Sequence, residues 1–188
     1  MKKTLLSLTI LFFAALNSFA QSDNTNTKIG VGFDIGVVTG ASSSLYGETG
    51  GVLFKLEQPI AAPFSVTLTT GYTGYITKGG FSTGYNSTDG SYTYGSIASF
   101  VPVELGAKVY LSEKFYVEGD LGASFNLSSD ASIPTKKMAL MYAPNVGYTI
   151  PFGGSKISVD VSIKYEGRLE TGSPYSQVAA CAVFNFGL

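Results

Sequence analysis

The chain has 188 residues and a formal net charge of -1, with 13% of residues charged against about 25% in an average soluble domain. It holds 23 Gly, 12 Tyr and 13 Phe, one Cys, and neither His nor Trp. These counts exclude His-based triads, His-ligated metals, intrachain disulfides and Cys-cluster metal sites, and the charge balance leaves no basic footprint for nucleic acid.

Residues 1–20, MKKTLLSLTILFFAALNSFA, read as a signal peptide. Lys2 and Lys3 form a positive n-region, Leu5 to Leu16 an apolar h-region too short for a membrane span, and Ser18-Phe19-Ala20 a small-x-small cleavage site. Cleavage after Ala20 starts the mature chain at Gln21 and leaves 10 basic and 13 acidic residues, a net charge of -3. Residues 21–28 form a short polar lead, and residues 29–188 are expected to form one β-barrel domain.

From Ile29 onward, apolar residues recur at every second position in eight segments. They begin at Ile29, Val52, Phe64, Val101, Phe115, Met138, Ile157 and Val178. Successive strand side chains point to opposite faces, so each segment has one apolar and one small or polar face. No segment keeps a helical period. Short links around Pro59 to Pro63, Ser112 to Lys114 and Pro151 to Ser155 alternate with long ones. The long links are Thr39 to Gly50, Ile76 to Gly95, Ser128 to Lys137 and Leu169 to Ser176. This alternation is that of a transmembrane barrel, with short periplasmic turns and long outer loops. The expected fold is all-β, an eight-stranded antiparallel up-and-down transmembrane β-barrel.

The strand charges share one parity: Asp34, Lys55, Glu57, Glu104, Lys108, Glu118, Asp120, Asp160, Lys164, Glu166 and Arg168. In a membrane barrel they line the lumen, where each must pair or meet water. The opposite face carries Phe64, Tyr72, Phe115, Tyr148, Tyr165, Phe184 and Phe186, which suit two aromatic girdles at the membrane interfaces. Strands of about ten residues are long enough to cross a bilayer at a tilt. In a soluble lipocalin-like binding barrel, the alternative, the apolar face would point inward.

The run Ser99 to Leu127, SFVPVELGAKVYLSEKFYVEGDLGASFNL, resembles the central hairpin of the outer-membrane β-barrel domain common in Bacteroidetes. Pro102, Glu104, Phe115 to Glu118 and Gly122 stand at matching places. The leader ending Phe19-Ala20-Gln21 is similar to those of that phylum. The resemblance covers Lys28 to Leu188 and extends in architecture to the OmpA transmembrane domain, OmpX and the opacity proteins. It implies a porin-like or surface-exposed protein of a Gram-negative outer membrane, in contact with lipid and lipopolysaccharide. It also implies a final strand read by the barrel-assembly machinery. Two departures stand out. No peptidoglycan-binding domain follows the barrel, so an OmpA-like wall tether is not implied, and the last residue is Leu188 rather than Phe.

The lumen charges are the one chemical constellation. The tight turn at Leu111 to Lys114 places Lys108 near Glu118 or Asp120. A gated polar path is one reading; an ion-pair network filling a narrow barrel is the other, and eight strands leave an interior that side chains can fill. No catalytic, cofactor-binding or metal site is expected. The glycines Gly30, Gly32 and Gly36 lie in a strand and do not open a helix, which removes a dinucleotide loop. Cys181 falls on the inner face, and Lys136-Lys137 beside an outer loop. The function expected is non-enzymatic, structural or surface-exposed. The alternatives are an adhesin or receptor-binding barrel acting on a host or surface ligand through the loop 76–95, and a small ion channel.

Overall fold

A computed structural model describes residues 26–78, 84–86, 91–93, 97–127, 136–153, 156–170 and 175–188. The signal peptide read at 1–20 lies outside the described residues. The strands are β1 Lys28–Thr39, β2 Tyr46–Ala61, β3 Phe64–Thr77, β4 Gly84–Asn86, β5 Ser91–Thr93, β6 Ile97–Tyr110, β7 Phe115–Asn126, β8 Met138–Pro151, β9 Ile157–Leu169 and β10 Ser176–Gly187.

Eight of them close an antiparallel barrel in which each strand pairs with the next, β1-β2-β3-β6-β7-β8-β9-β10, and β10 returns to β1. The closing seam runs from Lys28 opposite Gly187 to Thr39 opposite Ser176. Beyond it the Leu188 N–H donates to the Thr27 carbonyl at 2.8 Å. Closure satisfies every strand's ladder and leaves no barrel edge.

The period-2 pattern sorts the two faces, and the apolar one points out. Ile35 is 63% exposed, Leu121 69% and Leu140 64%, whereas Asp34, Lys108 and Glu104 on the other face are at most 2% exposed. This is the reverse of a water-soluble barrel and fits walls facing hydrocarbon.

The turns at 62–63 and 111–114, and the strand ends Pro151 and Ile157, lie at the same end as Lys28 and Gly187; Thr39, Thr77, Ile97, Asn126, Met138, Leu169 and Ser176 lie at the other, the loop end. The eight barrel strands run 12 to 16 residues, longer than the ten read from alternation. The added residues include Thr39, Tyr46, Thr49, Thr73 and Tyr75 at the loop end and Gln58, Pro59 and Thr149 at the short-turn end, where apolar alternation lapses and the ladder holds the chain. The link read as Thr39 to Gly50 is therefore short. A 3-10 turn, Gly40–Ser44, leads through Leu45 into β2, with Gly40 at φ 69°, a left-handed conformation that glycine adopts without strain. The segment read as one loop from Ile76 to Gly95 is also corrected. β3 continues to Thr77, and β4 and β5 pair as a separate hairpin, Gly84 opposite Thr93 and Asn86 opposite Ser91. Ser and Gly do not alternate with apolar residues there, so the hairpin left no trace in the periodicity.

Candidate functional site

The lumen holds three layers, each built by inward positions of several strands. At the short-turn end, Lys108 of β6 reaches across the barrel. Its Nζ lies 2.8 Å from Glu57 Oε2 on β2 and 2.7 Å from Asp160 Oδ2 on β9. Lys28 adds a second ammonium 3.2 Å from Glu57 Oε1, and Thr149 donates to Asp160 Oδ1 at 2.7 Å. The Lys108 ammonium also sits 4.0 Å from the ring centroid of Tyr116 and 4.9 Å from that of Tyr110, where the negative faces of the π systems favour a cation. The layer is charge-balanced, two ammonium groups against two carboxylates.

The middle layer is not balanced. Lys55 Nζ lies 2.6 Å from Glu118 Oε2. Lys164 Nζ lies 3.2 Å from Asp34 Oδ2 and 2.8 Å from Glu166 Oε2. Thr67 donates to Glu118 Oε1 at 2.7 Å and lies 3.3 Å from Asp120 Oδ1. Glu104 and Asp120 are buried here, and among the described residues neither forms an ion pair with Lys or Arg. A small cavity of about 20 Å³ lies between Glu104, Asp120, Asn145, Lys55, Lys164 and Cys181. Cys181 is free and buried.

The loop end is closed by rings. Tyr46, Tyr75, Phe100 and Tyr175 pack with Val38 and Ala98. Tyr75 lies 5.5 Å from Phe100 and 5.2 Å from Tyr175, both edge-on, a geometry the ring quadrupoles favour. The Arg168 guanidinium stacks 4.2 Å over Phe100. It pairs with Glu170 and donates to Ser124 Oγ at 2.9 Å and to the Lys136 carbonyl at 2.8 Å. Burial raises the Tyr175 hydroxyl above the usual phenol range.

All eleven charges read from strand parity are buried on the inner face. The tight turn at Leu111 to Lys114 does place Lys108 beside Glu118, but the ion pairs run elsewhere. Lys108 stands opposite Glu118 in the β6–β7 register, yet its ammonium goes to Glu57 and Asp160 and Glu118 goes to Lys55. A long side chain pointing into a narrow lumen reaches non-neighbouring strands as readily as the adjacent one, and strand order alone does not reveal them. The seven aromatics read as girdles are exposed on the outer face. Phe64, Phe115, Tyr148, Phe184 and Phe186 gather at the short-turn end, with Phe115 opposite Tyr148; Tyr72 and Tyr165 lie toward the loop end. Between them, small Ala180 and Ala182 leave an open apolar furrow of about 540 Å³ bounded by Phe33, Ile35, Tyr148 and Ile163. Sequence reading missed the ring cluster, although Phe100 shares the parity of Glu104 and Tyr75 that of Thr73.

Similarity to known proteins is confined to architecture. No family model matches the sequence, and no curated protein matches it. Among solved structures, the barrel is similar to the crystal structure of Ail, the attachment invasion locus protein of Yersinia pestis. That match has a TM-score of 0.56 at 14% identity, over 87% of this chain and all (100%) of that one. Ail in a phospholipid bilayer nanodisc gives a TM-score of 0.52 at 16% identity, with 87% and 100% covered. Ail in complex with the heparin analogue sucrose octasulfate gives 0.52 at 13% identity over the same shares. At these identities the likeness is one of fold: this chain has the eight-stranded fold of outer-membrane barrels.

Proposed function

We propose that this chain is a non-enzymatic barrel of a Gram-negative bacterial outer membrane. In this reading it is sealed against solutes and serves a structural or surface-exposed role. The observation that carries the reading is the inverted polarity of the wall: apolar side chains outside, paired charges inside. At about 3.3 Å per residue and a tilt near 40°, strands of 12 residues rise about 30 Å, the thickness of a bilayer core. The resemblance of Ser99 to Leu127 to the Bacteroidetes domain supports an origin in that phylum. The leader 1–20 directs export with cleavage after Ala20, the lead 21–28 precedes the barrel domain 29–188, and the aromatic final strand engages the assembly machinery. The furrow and the aromatic belts take lipid, including lipopolysaccharide chains.

The sealed lumen is tested by reconstitution. Mature protein that shifts in mobility between cold and boiled detergent gels, and then fails to pass sugars or ions across liposomes, supports the reading. Ready passage of either makes the chain a channel. Recovery from the soluble periplasm without a gel shift makes it a lipocalin-like barrel.

A second reading is an adhesin, favoured by the β4–β5 hairpin carried on the longest link. The segment 76–95 holds Tyr85, Tyr92 and Tyr94 but only Lys78 and Asp89 as charges. Such a composition suits a protein or neutral glycan better than a sulfated polymer, which requires clustered cations. Deleting residues 79–96 while keeping the gel shift is expected to abolish binding to host cells or matrix; binding left intact would sink this role.

A further inference from the structure

The outward residues of β10 are small where those of its neighbours are large. One row in register, Phe33, Ala182, Val161, Tyr148 and Phe115, passes from β1 through β10, β9 and β8 to β7. A second row, Ile35, Ala180, Ile163 and Val146, runs beside it, nearer the loop end. Between them lies a floor of Cys181, Ser162 and Gly147, and the open furrow of about 540 Å³ follows that floor across the strands.

The furrow is not level. At about 3.3 Å per residue and a tilt near 40°, Phe33 stands about 12 Å above the short-turn rim, whereas Phe115 opens β7 at that rim. One leaflet of a bilayer has about 15 Å of hydrocarbon, half of about 30 Å. The furrow thus descends from near the mid-plane to one interface and stays within a single leaflet. Its upper end stops at Ile35, short of the loop-end residue Thr39, so a lipid headed at the loop end would cross the mid-plane to enter it.

The foot of the furrow is polar. Tyr148 is an amphipathic ring of the kind that sits at head-group level. Lys114, exposed and next to Phe115, accepts the Thr149 N–H on its carbonyl at 2.8 Å, which holds it beside Tyr148. Glu113 is exposed next to it, so the rim offers both signs of charge, the complement of a zwitterionic head group. A second copy of the chain does not match this shape. Two barrels facing each other about an axis along the membrane normal meet with strands crossed at about twice the tilt, near 80°. A ridge of one then crosses the other's furrow at a point, whereas an acyl chain follows it end to end.

We propose that the furrow binds one zwitterionic phospholipid of the short-turn leaflet, with an acyl chain along Cys181, Ser162 and Gly147 and the phosphate at Lys114. The site rests on the membrane reading above and narrows the lipid it takes.

The test reconstitutes the mature chain in vesicles of phosphatidylethanolamine and phosphatidylglycerol. A trace of the phosphatidylethanolamine carries a photoactivatable diazirine on one acyl chain, and labelled peptides are mapped by mass spectrometry. Labelling of β8, β9 and β10 at the furrow is expected at about ten times that of Val103 and Leu105, exposed on β6 across the barrel. Ala182→Leu and, separately, Ala180→Leu fill the furrow from its outer side and are expected to bring its labelling down to that of β6 while keeping the gel shift. Lys114→Gln is expected to lower it about threefold. Even labelling around the wall, furrow labelling unchanged in both leucine variants, or a cross-linked dimer with an unlabelled furrow overturns the proposal and leaves the membrane reading standing. A soluble chain without the gel shift overturns both.

Discussion

Lys108 and Glu118 stand directly opposite each other on β6 and β7, both buried in the lumen, and each gives its charge to a strand that is not its neighbour. Lys108 ties β6 to β2 and β9, and Glu118 ties β7 to β2. With Lys164 joining β9 to β1, these pairs are struts across the barrel. They fill the lumen and hold its cross-section, which is how an eight-stranded wall becomes a rod rather than a pipe.

Removing the hub of these struts is expected to be costly. Lys108→Met leaves Glu57 and Asp160 buried without their shared cation, and breaking a buried pair from one side costs about 3–5 kcal/mol. The urea midpoint of the folded barrel should fall accordingly. The triple variant Lys108→Met, Glu57→Gln, Asp160→Asn should recover much of the loss, because no buried charge is then stranded. A triple variant as unstable as the single one would contradict the strut account.

The outer wall is tested at Leu121, which is 69% exposed near the middle of β7. In hydrocarbon, Leu121→Arg is expected to cost about 2–4 kcal/mol in bilayer-folded protein. In water the same exposed change would stay within about 0.5 kcal/mol. Folding titrations in phospholipid vesicles separate the two.

Gly147 and Tyr116 are cross-strand partners in which one residue needs the other's lack of a side chain. A Cβ at Gly147 would lie 2.4 Å from Cζ and Oη of the Tyr116 ring. Gly147→Ala must push that ring from beneath Lys108, an overpacking cost of about 1–3 kcal/mol. Gly119→Ala is the control: nothing lies within 4 Å of its added Cβ, and its urea midpoint should match wild type.

Cys181 reports whether the lumen is sealed. Its thiol is buried on the inner wall, below the rings of Tyr75, Phe100 and Tyr175. A maleimide label added to the folded barrel is expected to react slowly, and rapidly once boiling has unfolded the protein. Equal labelling before and after boiling would mean that the lumen admits small solutes.

The double variant Tyr75→Ala, Phe100→Ala removes two of the four rings at the loop end. It is expected to lower stability yet leave the barrel non-conducting in planar bilayers, because the struts beneath still fill the lumen. Conductance in this variant would assign the seal to the rings alone.

Local patterning carries whatever strand geometry repeats from residue to residue. Alternation at Ile29 to Val37 or Phe115 to Phe125 declares which side chain faces which way. Eight such runs with short and long links therefore specify an antiparallel barrel, and the parity of Asp34 to Arg168 identifies its inner wall. Alternation lapses where Gly, Ser, Thr and Tyr replace aliphatic residues, so the start of β2 at Tyr46 and the β4–β5 hairpin were not legible. The pairing inside is set by the closed barrel. Which cation meets which carboxylate depends on the curvature of the closed wall and on the reach of each side chain across it. That is why Lys108 and Glu118, adjacent by register, belong to different layers. The same closure brings Glu104 and Asn145 to one cavity and gathers Tyr46, Tyr75, Phe100 and Tyr175 at one end, juxtapositions between distant strands that no local pattern encodes.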